Sequence, residues 1–547
     1  MKVAAILFTL AFLAGTVRAQ TPAAKPGSIE GVVGNSATGE PVKKAVVTLE
    51  GRAAAVNMAP LSHTTAITDA SGHFHFDRVT PGSYDISVDR DGFMVARSPP
   101  GGGGRSFIQL SAEQHVQDLT LKLTPLGVVS GHVLDEDGEP IVRAQIAVLR
   151  YFYGPYRKQL IAEAAAQSND LGEFEVLNLA PGRYYFQVMA PPQRNVPPLT
   201  RWVHPEEAYP ITYYPNASEA AQATATSVAP GAHVSNVDFH LRKMPAYHIR
   251  GTVIGETPGS GAGQVTVEIP NSNFGADISQ SDLQADGSFD LRGVVNGSYE
   301  LSYTRFDAGK PPSDSHQAVL VSDADANGVV FARKPFVDVS GTVTVEGPQP
   351  ERLDLQIMLG ARFGAGPSFG TPGPDGKFVI AGLSPNVQSV QIENAPPGKY
   401  VKSIRFGDRE IKNAEIDLSG GSGAALNIVL GADGGEVDGN VQNASGQPAA
   451  GTPITLAPAE EFEGRWDLLK RAVTDDSGNF RIKDVAPGEY KVFAWEADID
   501  DRTQSPEFRK PFEDRSAPVT VGPNEKAAVQ VNVITAVEIE KETSKLP

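Results

Sequence analysis

The chain has 547 residues, of which 40% are hydrophobic, and it has a formal net charge of −18 and no cysteine. At about 100–150 residues per domain, this length predicts four or five domains rather than one core. The acidic balance argues against nucleic acid and anionic lipid as partners, because phosphate groups bind basic surfaces. The lack of cysteine in the sequence excludes disulfides, thiolate-ligated zinc and cysteine nucleophiles.

Residues 1–19 have the pattern of a secretory signal peptide, with Lys2, a short apolar run and a small-residue cleavage site ending at Ala19. A membrane anchor is the alternative, but the apolar run is short for a span. No later apolar run is long enough to span, so we expect no membrane span after cleavage. Residues 20–27 have the composition of a Pro/Ala linker. The sequence therefore predicts an exported protein that is periplasmic, outer-surface-associated or extracellular.

One pattern of turns and strands is repeated along the rest of the chain. In its first copy, Gly31 lies in an opening strand, and a tight turn at 69–72 precedes the alternating strand 73–76. Pro81-Gly82 then forms a second turn before Tyr84. The tyrosine of this turn is expected to place its ring in the core and to bond its hydroxyl to nearby backbone, as in a tyrosine corner.

The opening glycines fall at positions 31, 131, 251, 341 and 439, and this spacing is that of whole domains rather than of short solenoid repeats. Each copy offers about seven short alternating strands, which is typical of an antiparallel β-sandwich. Domain four departs most, because its Pro397-Gly398-Lys399-Tyr400 comes one strand late. A short helical turn is expected at 506–515 and a disordered charged tail at the end. The predicted segments are domain one at 28–124, domain two at 126–243 with an insertion at 191–232, domain three at 247–334, domain four at 337–431, domain five at 435–534 and the tail at 535–547.

The motif Gly-x-Val, then Asp-x-x-Gly-x-Phe, then Pro-Gly-x-Tyr resembles the carboxypeptidase regulatory-like domain. The resemblance extends over all five copies, and stretches such as Tyr213-Tyr214-Pro215 and Ala494-Trp495-Glu496 are similar to secreted multi-domain bacterial proteins. It implies an all-β, tandem array of about five antiparallel Ig-like or prealbumin-like β-sandwich domains. It also implies a non-catalytic accessory fold, sometimes assigned to carbohydrate binding, and no peptidase activity.

Aromatic residues are concentrated in domain two and provide the candidate ligand-binding surface. Aromatic rings with polar edges suit sugar rings or extended peptides, since they give contact area at low entropic cost. The alternative is that these rings pack the insertion onto its own sandwich. The candidate residues are Tyr151, Tyr153, Tyr156, Trp202, Tyr213 and Tyr214.

An acidic cluster follows Trp495 in domain five. Carboxylates at this density could bind calcium, and the alternative is a solvated acidic loop. A second acidic stretch, 323–328, starts like a calcium loop but has Lys334 where a bidentate carboxylate is needed, so a turn is the favoured interpretation. No other cofactor is expected. The residues of the first cluster are Glu496, Asp498, Asp500 and Asp501.

Two further patterns suggest metal chemistry and have simpler explanations. His204 and Glu207 match the His-x-x-Glu spacing of zinc carboxypeptidases, with His316 far downstream, but the large catalytic domain of such enzymes is missing from the sequence. His73, His75 and Asp77 share one strand face, which is where an alternating strand places polar residues anyway. The sequence therefore predicts a protein without enzymatic activity.

The leading interpretation is a secreted binding or adhesion protein of the bacterial cell envelope that recognises a polysaccharide or an envelope protein. The runner-up is a structural spacer of β-sandwiches without a ligand, and a hydrolase comes third. The repeated residues serve turns and cores, so function is expected where the copies differ. Those places are the aromatic segments of domain two and the acidic loop of domain five.

Overall fold

The computed structural model describes residues 25–51, 63–95, 106–153, 158–191, 206–255, 263–269, 278–305, 313–332, 334–348, 353–361, 367–421, 423–496 and 500–543. The predicted signal peptide lies outside these residues. Within them, no helix has both the length and the apolar character that crossing a membrane requires. Domain one forms one compact unit, and domains two to five together form another.

Domain one is a sandwich of two four-stranded sheets, with the strand orders β4-β1-β8-β6 and β3-β2-β5-β7. Its opening strand pairs antiparallel with β4 and parallel with β8. As the alternation predicts, Phe74 and Phe76 are buried while His75 is exposed. The strands are β1 (Gly27–Asn35), β2 (Val46–Gly51), β3 (His63–Ile67), β4 (His73–Val79), β5 (Gly82–Asp89), β6 (Phe93–Val95), β7 (Ser106–Leu110) and β8 (His115–Pro125).

Domain two repeats this arrangement and adds short strands from its insertion. Its larger sheet has the order β11-β10-β13-β15, and its smaller sheet is built around β9. A 3-10 turn, Ala220–Gln222, lies in the described part of the insertion. The strands are β9 (Gly127–Leu134), β10 (Gln145–Tyr153), β11 (Lys158–Gln167), β12 (Glu173–Leu179), β13 (Gly182–Met189), β14 (Glu207–Ala208), β15 (Thr212–Tyr213), β16 (Thr226–Val228), β17 (His233–Val234) and β18 (Phe239–His240).

Domains three and four are also pairs of facing sheets, each pair with its own buried core. Domain three has β19 (Met244–Ile254), β20 (Gly263–Glu268), β21 (Ser279–Asp282), β22 (Ser288–Val295), β23 (Gly297–Arg305), β24 (Ser313–Val321) and β25 (Ala326–Ala332). Domain four has β26 (Val337–Val345), β27 (Gln356–Ala361), β28 (Ser368–Gly370), β29 (Lys377–Leu383), β30 (Val387–Glu393), β31 (Tyr400–Phe406), β32 (Arg409–Glu410), β33 (Glu415–Asp417) and β34 (Leu426–Gly431).

Domain five joins its strands into one continuous seven-stranded sheet and contains most of the helical structure. The helical turn expected at 506–515 is present as helix α1 (Pro506–Arg509) followed by the 3-10 helix Lys510–Arg515. Two other 3-10 helices are Glu460–Phe462 and Asp500–Gln504. The strands are β35 (Gly435–Gln442), β36 (Pro453–Pro458), β37 (Lys470–Val473), β38 (Asn479–Val485), β39 (Gly488–Trp495), β40 (Ala517–Val521) and β41 (Lys526–Ile534).

The expectation of a disordered tail is wrong for residues 536–543, which form helix α2 (Ala536–Thr543). The Glu538 carboxylate accepts a hydrogen bond from the Thr535 N–H at 2.8 Å, and the Thr535 hydroxyl lies 3.3 Å from the Glu538 N–H. This reciprocal pair is a capping box, which satisfies backbone groups that a helix start leaves unpaired. Ile539 is 7% exposed and anchors the helix on domain five.

The opening glycines are explained by how closely the first strand of each domain approaches its parallel neighbour. A Cβ atom on Gly131 would lie 2.1 Å from the carbonyl oxygen of Val237, and one on Gly341 would lie 2.0 Å from that of Leu426. Gly31 and Gly251 meet a neighbouring carbonyl oxygen at 2.1 Å in the same way. At Gly439 the closest atom is instead the ring of Phe480, at 2.2 Å. No side chain fits in these positions, so the repeated glycine is a packing requirement of the sandwich.

The tyrosine corner is confirmed in four of the five domains. In each of them the tyrosine hydroxyl donates a hydrogen bond to the carbonyl oxygen four residues earlier. The pairs are Tyr84 to Thr80 and Tyr184 to Ala180 at 2.7 Å, Tyr299 to Val295 at 2.9 Å, and Tyr490 to Ala486 at 2.8 Å. Burial raises the pKa of Tyr184 and of Tyr299 to about 12.

In domain four, Gln388 occupies the corner position that a tyrosine occupies in the other four domains. The Pro-Gly-Lys-Tyr segment one strand later is therefore not the corner of this domain. Gln388 is 1% exposed, and its side-chain amide donates a 2.9 Å hydrogen bond to the Ser384 carbonyl, also four residues earlier. Tyr400 instead lies on the other sheet of domain four, where its hydroxyl donates to the Asp433 carboxylate at 2.8 Å. Its ring packs against Leu468 and Ala486 of domain five. The displaced tyrosine is therefore a residue of a domain interface.

Candidate functional site

A two-stranded extension of domain two positions the first group of predicted site residues. Strand β10 pairs with β13 only as far as Leu149, but it pairs with β11 as far as Tyr153. Residues 150–153 and 158–161 are therefore a hairpin arm that continues past β13. Because side chains alternate along a strand, Tyr151 and Tyr153 lie on one face of this hairpin arm and Phe152 lies on the other.

Tyr153 packs against domain five. Its ring centroid lies 5.8 Å from that of Phe508 in an edge-to-face arrangement, and Tyr153 is 7% exposed. Burial raises the pKa of the Tyr153 hydroxyl to about 12. A segment 355 residues later in the chain therefore covers this ring, and a role of Tyr153 in ligand binding stays a prediction.

On the domain-five side, the contact is made by an aromatic cluster around Trp495, which is fully buried. The Trp495 ring stacks on Phe493 at 5.5 Å and meets Phe512 edge-on at 5.3 Å, and its Nε1–H donates to the Thr455 hydroxyl at 3.1 Å. Helix α1 contributes Phe508 to this cluster. The aromatic stretch of domain two thus contacts the helical turn that follows the acidic loop of domain five. Sequence reasoning singled out both segments but did not predict their contact.

Tyr151 is a predicted site residue that stays partly open. The Lys158 ammonium lies 3.9 Å from the centre of its ring, and Tyr185 packs edge-on at 5.2 Å. Partial burial raises the pKa of the Tyr151 hydroxyl, and desolvation lowers the pKa of Lys158. On the opposite face Phe152 is 38% exposed. The hairpin arm therefore presents aromatic surface together with a cation, which suits a polar ligand with apolar faces.

The aromatic residues of the insertion pack onto domain two itself. Tyr213 lies in β15, which pairs with β13, and its ring is 5% exposed against Tyr185 and Leu149. Burial raises its pKa to about 12. Tyr214 packs edge-on against Phe239 at 5.9 Å, on the core of the sandwich. Both tyrosines thus pack onto domain two, as in the alternative interpretation, and a role for either in ligand binding stays a prediction.

The remaining predicted site residues are partly outside the described residues. Tyr156, Trp202 and Asp498 lie there, and so do the side chains of Asp500 and Asp501. Glu496 is described, and its carboxylate accepts a 2.6 Å hydrogen bond from the Ala536 N–H at the start of helix α2. One carboxylate oxygen of the acidic cluster thus pairs with a backbone N–H at the start of helix α2. Calcium binding by the cluster stays a prediction.

The described residues of the other metal patterns contact polar neighbours of the sandwiches. Across the described ranges, no group of three His, Asp or Glu side chains is arranged to hold a metal ion. His75 pairs with Asp77 at 2.6 Å, and Asp323 exchanges hydrogen bonds with Asn296 at 2.7 and 2.8 Å. His204 lies outside the described residues, and the second histidine of the zinc pattern, His316, lies 3.7 Å from Glu300.

Comparison with known families identifies domain one. The family model described as the carboxypeptidase regulatory-like domain matches residues 28–123, and this family is a non-catalytic one. The resemblance of the repeated motif to this family is thus confirmed for domain one. Among curated proteins, none matches the chain.

Several solved structures are similar to parts of this chain at low identity. The minor pilin GBS52 of Streptococcus agalactiae is 13% identical, with 40% of this chain and 97% of the pilin covered and a TM-score of 0.21. The shaft pilin SpaA of Lactobacillus rhamnosus GG is 11% identical, with 40% and 98% covered and a TM-score of 0.21. A putative carbohydrate binding protein of Pseudomonas aeruginosa is 21% identical, with 19% and 91% covered and a TM-score of 0.13.

Proposed function

We propose that this chain, whose domain one is a carboxypeptidase regulatory-like domain, is an exported, non-catalytic protein that binds a polysaccharide or a protein partner at the bacterial cell envelope. Its β-sandwiches position the binding surface and carry out no reaction. The hairpin arm of domain two is the surface proposed for the contact.

The observation that supports this proposal is the exposure of Phe152 on the hairpin arm. An aromatic ring that is 38% exposed lies on the face of the hairpin arm opposite the partly open Tyr151, on strands that extend past the pairing with β13. Lys158 supplies a cation beside Tyr151, and the ion pair between Arg150 and Glu163, at 2.7 Å, supplies polar groups on the same strands. Flat rings bordered by hydrogen-bonding groups favour a sugar ring or an extended peptide.

A glycan array and an envelope-protein pull-down with the chain from residue 20 onward test the proposal. We expect binding to at least one glycan or envelope protein and a loss of about tenfold or more with Phe152→Ala, as for a central aromatic contact. Phe152 is exposed, so its replacement leaves the sandwich core intact. Trp466→Ala is the matched control, because Trp466 is 37% exposed in domain five.

The proposal fails if the chain binds nothing in either experiment, or if Phe152→Ala and Trp466→Ala weaken binding equally. The alternative is a structural spacer, which predicts no ligand and an elongated scattering profile. Fixed contacts between domains four and five favour this alternative: the buried Arg465 of domain five donates a 2.9 Å hydrogen bond to the Val401 carbonyl of domain four.

A further inference from the structure

A short strand from the domain-two insertion pairs with the first strand of domain three. Strand β14 pairs antiparallel with residues 244–245 of β19. Just before β14, the Glu206 carbonyl accepts a 2.7 Å hydrogen bond from the Ala246 N–H. The connection is short, so its strength depends on the side chains that flank it.

His248 is placed between two carboxylates at this junction. Its Nδ1 lies 2.5 Å from Oδ1 of Asp290 in domain three, and its Nε2 lies 3.0 Å from Oε2 of Glu206. The His248 side chain is 13% exposed, so water screens these contacts only weakly. The imidazole therefore bridges the insertion of domain two and the sheet of domain three.

This bridge depends on the protonation state of the imidazole. A carboxylate accepts hydrogen bonds and donates none, and a neutral imidazole carries only one N–H. Only the doubly protonated ring donates to Asp290 and Glu206 together. When the ring loses a proton, one of its nitrogens faces a carboxylate with a lone pair, and that contact becomes repulsive.

The charges around His248 determine which contact is lost. On β22, Asp290 is also held by Arg250 at 3.1 Å, from β19, and by Arg292 at 2.8 Å. Ahead of β25, the Asp325 carboxylate accepts from the His248 backbone N–H at 3.0 Å and pairs with Arg250 at 2.7 Å. Partial burial opposes ionisation of Asp290, but its bonds to His248 and Arg292 outweigh burial and hold its pKa below the usual value.

Asp290 therefore keeps cationic partners in both protonation states of His248. Within the described part of the chain, the Glu206 carboxylate contacts His248 and no second cation. Deprotonation of the imidazole consequently breaks its contact with Glu206.

We propose that His248 is a proton-dependent clasp that holds residues 206–208 of the domain-two insertion against domain three at acidic pH and releases them at alkaline pH. The clasp does not depend on the binding function proposed above. The stabilising contact is complete when the ring is charged and is lost when the ring gives up its second proton, since the charged ring favours the paired state.

Hydrogen exchange followed by mass spectrometry on the full chain tests this proposal. The reporter is the peptide that covers residues 244–249, because the Ala246 N–H bonds to Glu206. Intrinsic exchange becomes faster as the pH rises, so each observed rate is converted to a protection factor with the intrinsic rate at the same pH. We expect the protection of this peptide to fall about tenfold between pH 5.5 and 8, as for the loss of a charge-assisted hydrogen bond.

Two matched variants separate the clasp from a general effect of pH. In Glu206→Gln, the amide accepts from a protonated Nε2 through its oxygen and donates to a neutral Nε2 through its nitrogen. The pH dependence should therefore disappear in this variant. Glu207→Gln changes the neighbouring exposed carboxylate and should keep the wild-type pH dependence. Equal protection of the wild type at both pH values, or loss of the pH dependence in both variants, overturns the proposal.

Discussion

The side-chain amide of Gln388 donates a hydrogen bond to the Ser384 carbonyl at 2.9 Å, across the same four-residue spacing that Tyr184 bridges to Ala180. Two different side chains thus bond to carbonyls at equivalent positions of this turn in two domains. The shared feature is a buried side chain that donates to this carbonyl, and such a hydrogen bond contributes about 1 kcal/mol. The corner is defined by this hydrogen bond rather than by the tyrosine.

Removing the donor should therefore have a similar effect in both kinds of corner. We expect Tyr184→Phe and Gln388→Leu each to lower the free energy of unfolding by about 1 kcal/mol, since each removes one partly buried hydrogen bond. The Ser384 carbonyl keeps a 2.9 Å hydrogen bond from the Asn386 N–H, so the effect of Gln388→Leu should be the smaller one. Urea denaturation of the full chain, with local hydrogen exchange to assign the affected domain, measures this. Tyr209→Phe is the control, because Tyr209 is only half-buried and is not a corner residue. If Tyr184→Phe alone lowers the free energy of unfolding, the two side chains do not share this role.

The buried tyrosines predict how the protein responds to alkali. Burial raises the pKa of Tyr153, Tyr184, Tyr213 and Tyr299 from 10.0 to about 12. Their neutral form is favoured in the folded state, so this contribution to stability is complete below pH 10 and is lost as the pH rises towards 12.

In a spectrophotometric titration, we expect part of the 14 tyrosines to ionise near pH 10 and the buried group to ionise only with alkaline unfolding. Tyr184→Phe should reduce the amplitude of the late step and leave the early step unchanged. A single titration of all tyrosines near pH 10 would contradict their burial.

Local features of the fold could be predicted from the sequence, because they depend on nearby residues. The turn before Phe74, the alternation that buries Phe76 and the bond from Tyr84 to Thr80 all lie within a few residues of each other. Helix α2 also had a local signal, the Thr-x-x-Glu capping box at 535–538, but its short, charged sequence resembles a disordered tail.

The packing of the aromatic residues could not be predicted in the same way. An aromatic residue on an alternating strand suits a core, an interface or a ligand site equally well, and its environment depends on the segment that lies over it. Tyr153 is buried because helix α1, far away in sequence, contributes Phe508. Tyr213 is buried because β15 adds to the edge of its own sheet. Strand periodicity carries no information about either contact.

The opening glycine of each domain gives a test of strand packing. We expect Gly131→Ala to destabilise domain two by about 2 kcal/mol or more, because its Cβ would overlap the Val237 carbonyl oxygen at 2.1 Å and push a paired strand away. Gly420→Ala is the matched control, since nothing lies within 4 Å of its Cβ position. Thermal unfolding with domain-resolved hydrogen exchange compares the two. Similar stabilities for the two variants would contradict the packing explanation.

Arg465 predicts how strongly domains four and five are connected. It is 3% exposed, it donates to the Val401 carbonyl at 2.9 Å, and its guanidinium forms two bonds with Asp467, at 2.7 and 2.6 Å. Arg465→Ala leaves a mostly buried carboxylate without its partner, which should cost about 3 kcal/mol. Arg465→Lys should recover little, because an ammonium cannot form the same two-pronged contact.

Limited proteolysis and urea denaturation of the full chain measure this loss. Lys377→Ala provides the control, because Lys377 forms an exposed pair with Asp375 and its removal should leave stability unchanged. If Arg465→Ala and Lys377→Ala lose the same stability, the buried contact is no stronger than a surface ion pair.

The contact between Tyr153 and Phe508 predicts that domains two and five unfold with energetic coupling. Each ring also packs within its own cluster, so Tyr153→Ala and Phe508→Ala should each cost about 3 kcal/mol or more. The part that belongs to the contact is isolated by a double-mutant cycle, in which we expect a coupling of about 0.5–1.5 kcal/mol for an edge-to-face aromatic pair. A cycle between Tyr153→Ala and Phe331→Ala is the control, because Phe331 packs in the core of domain three. Coupling near zero in the first cycle, or equal coupling in both, would mean that the two domains are not joined through these rings.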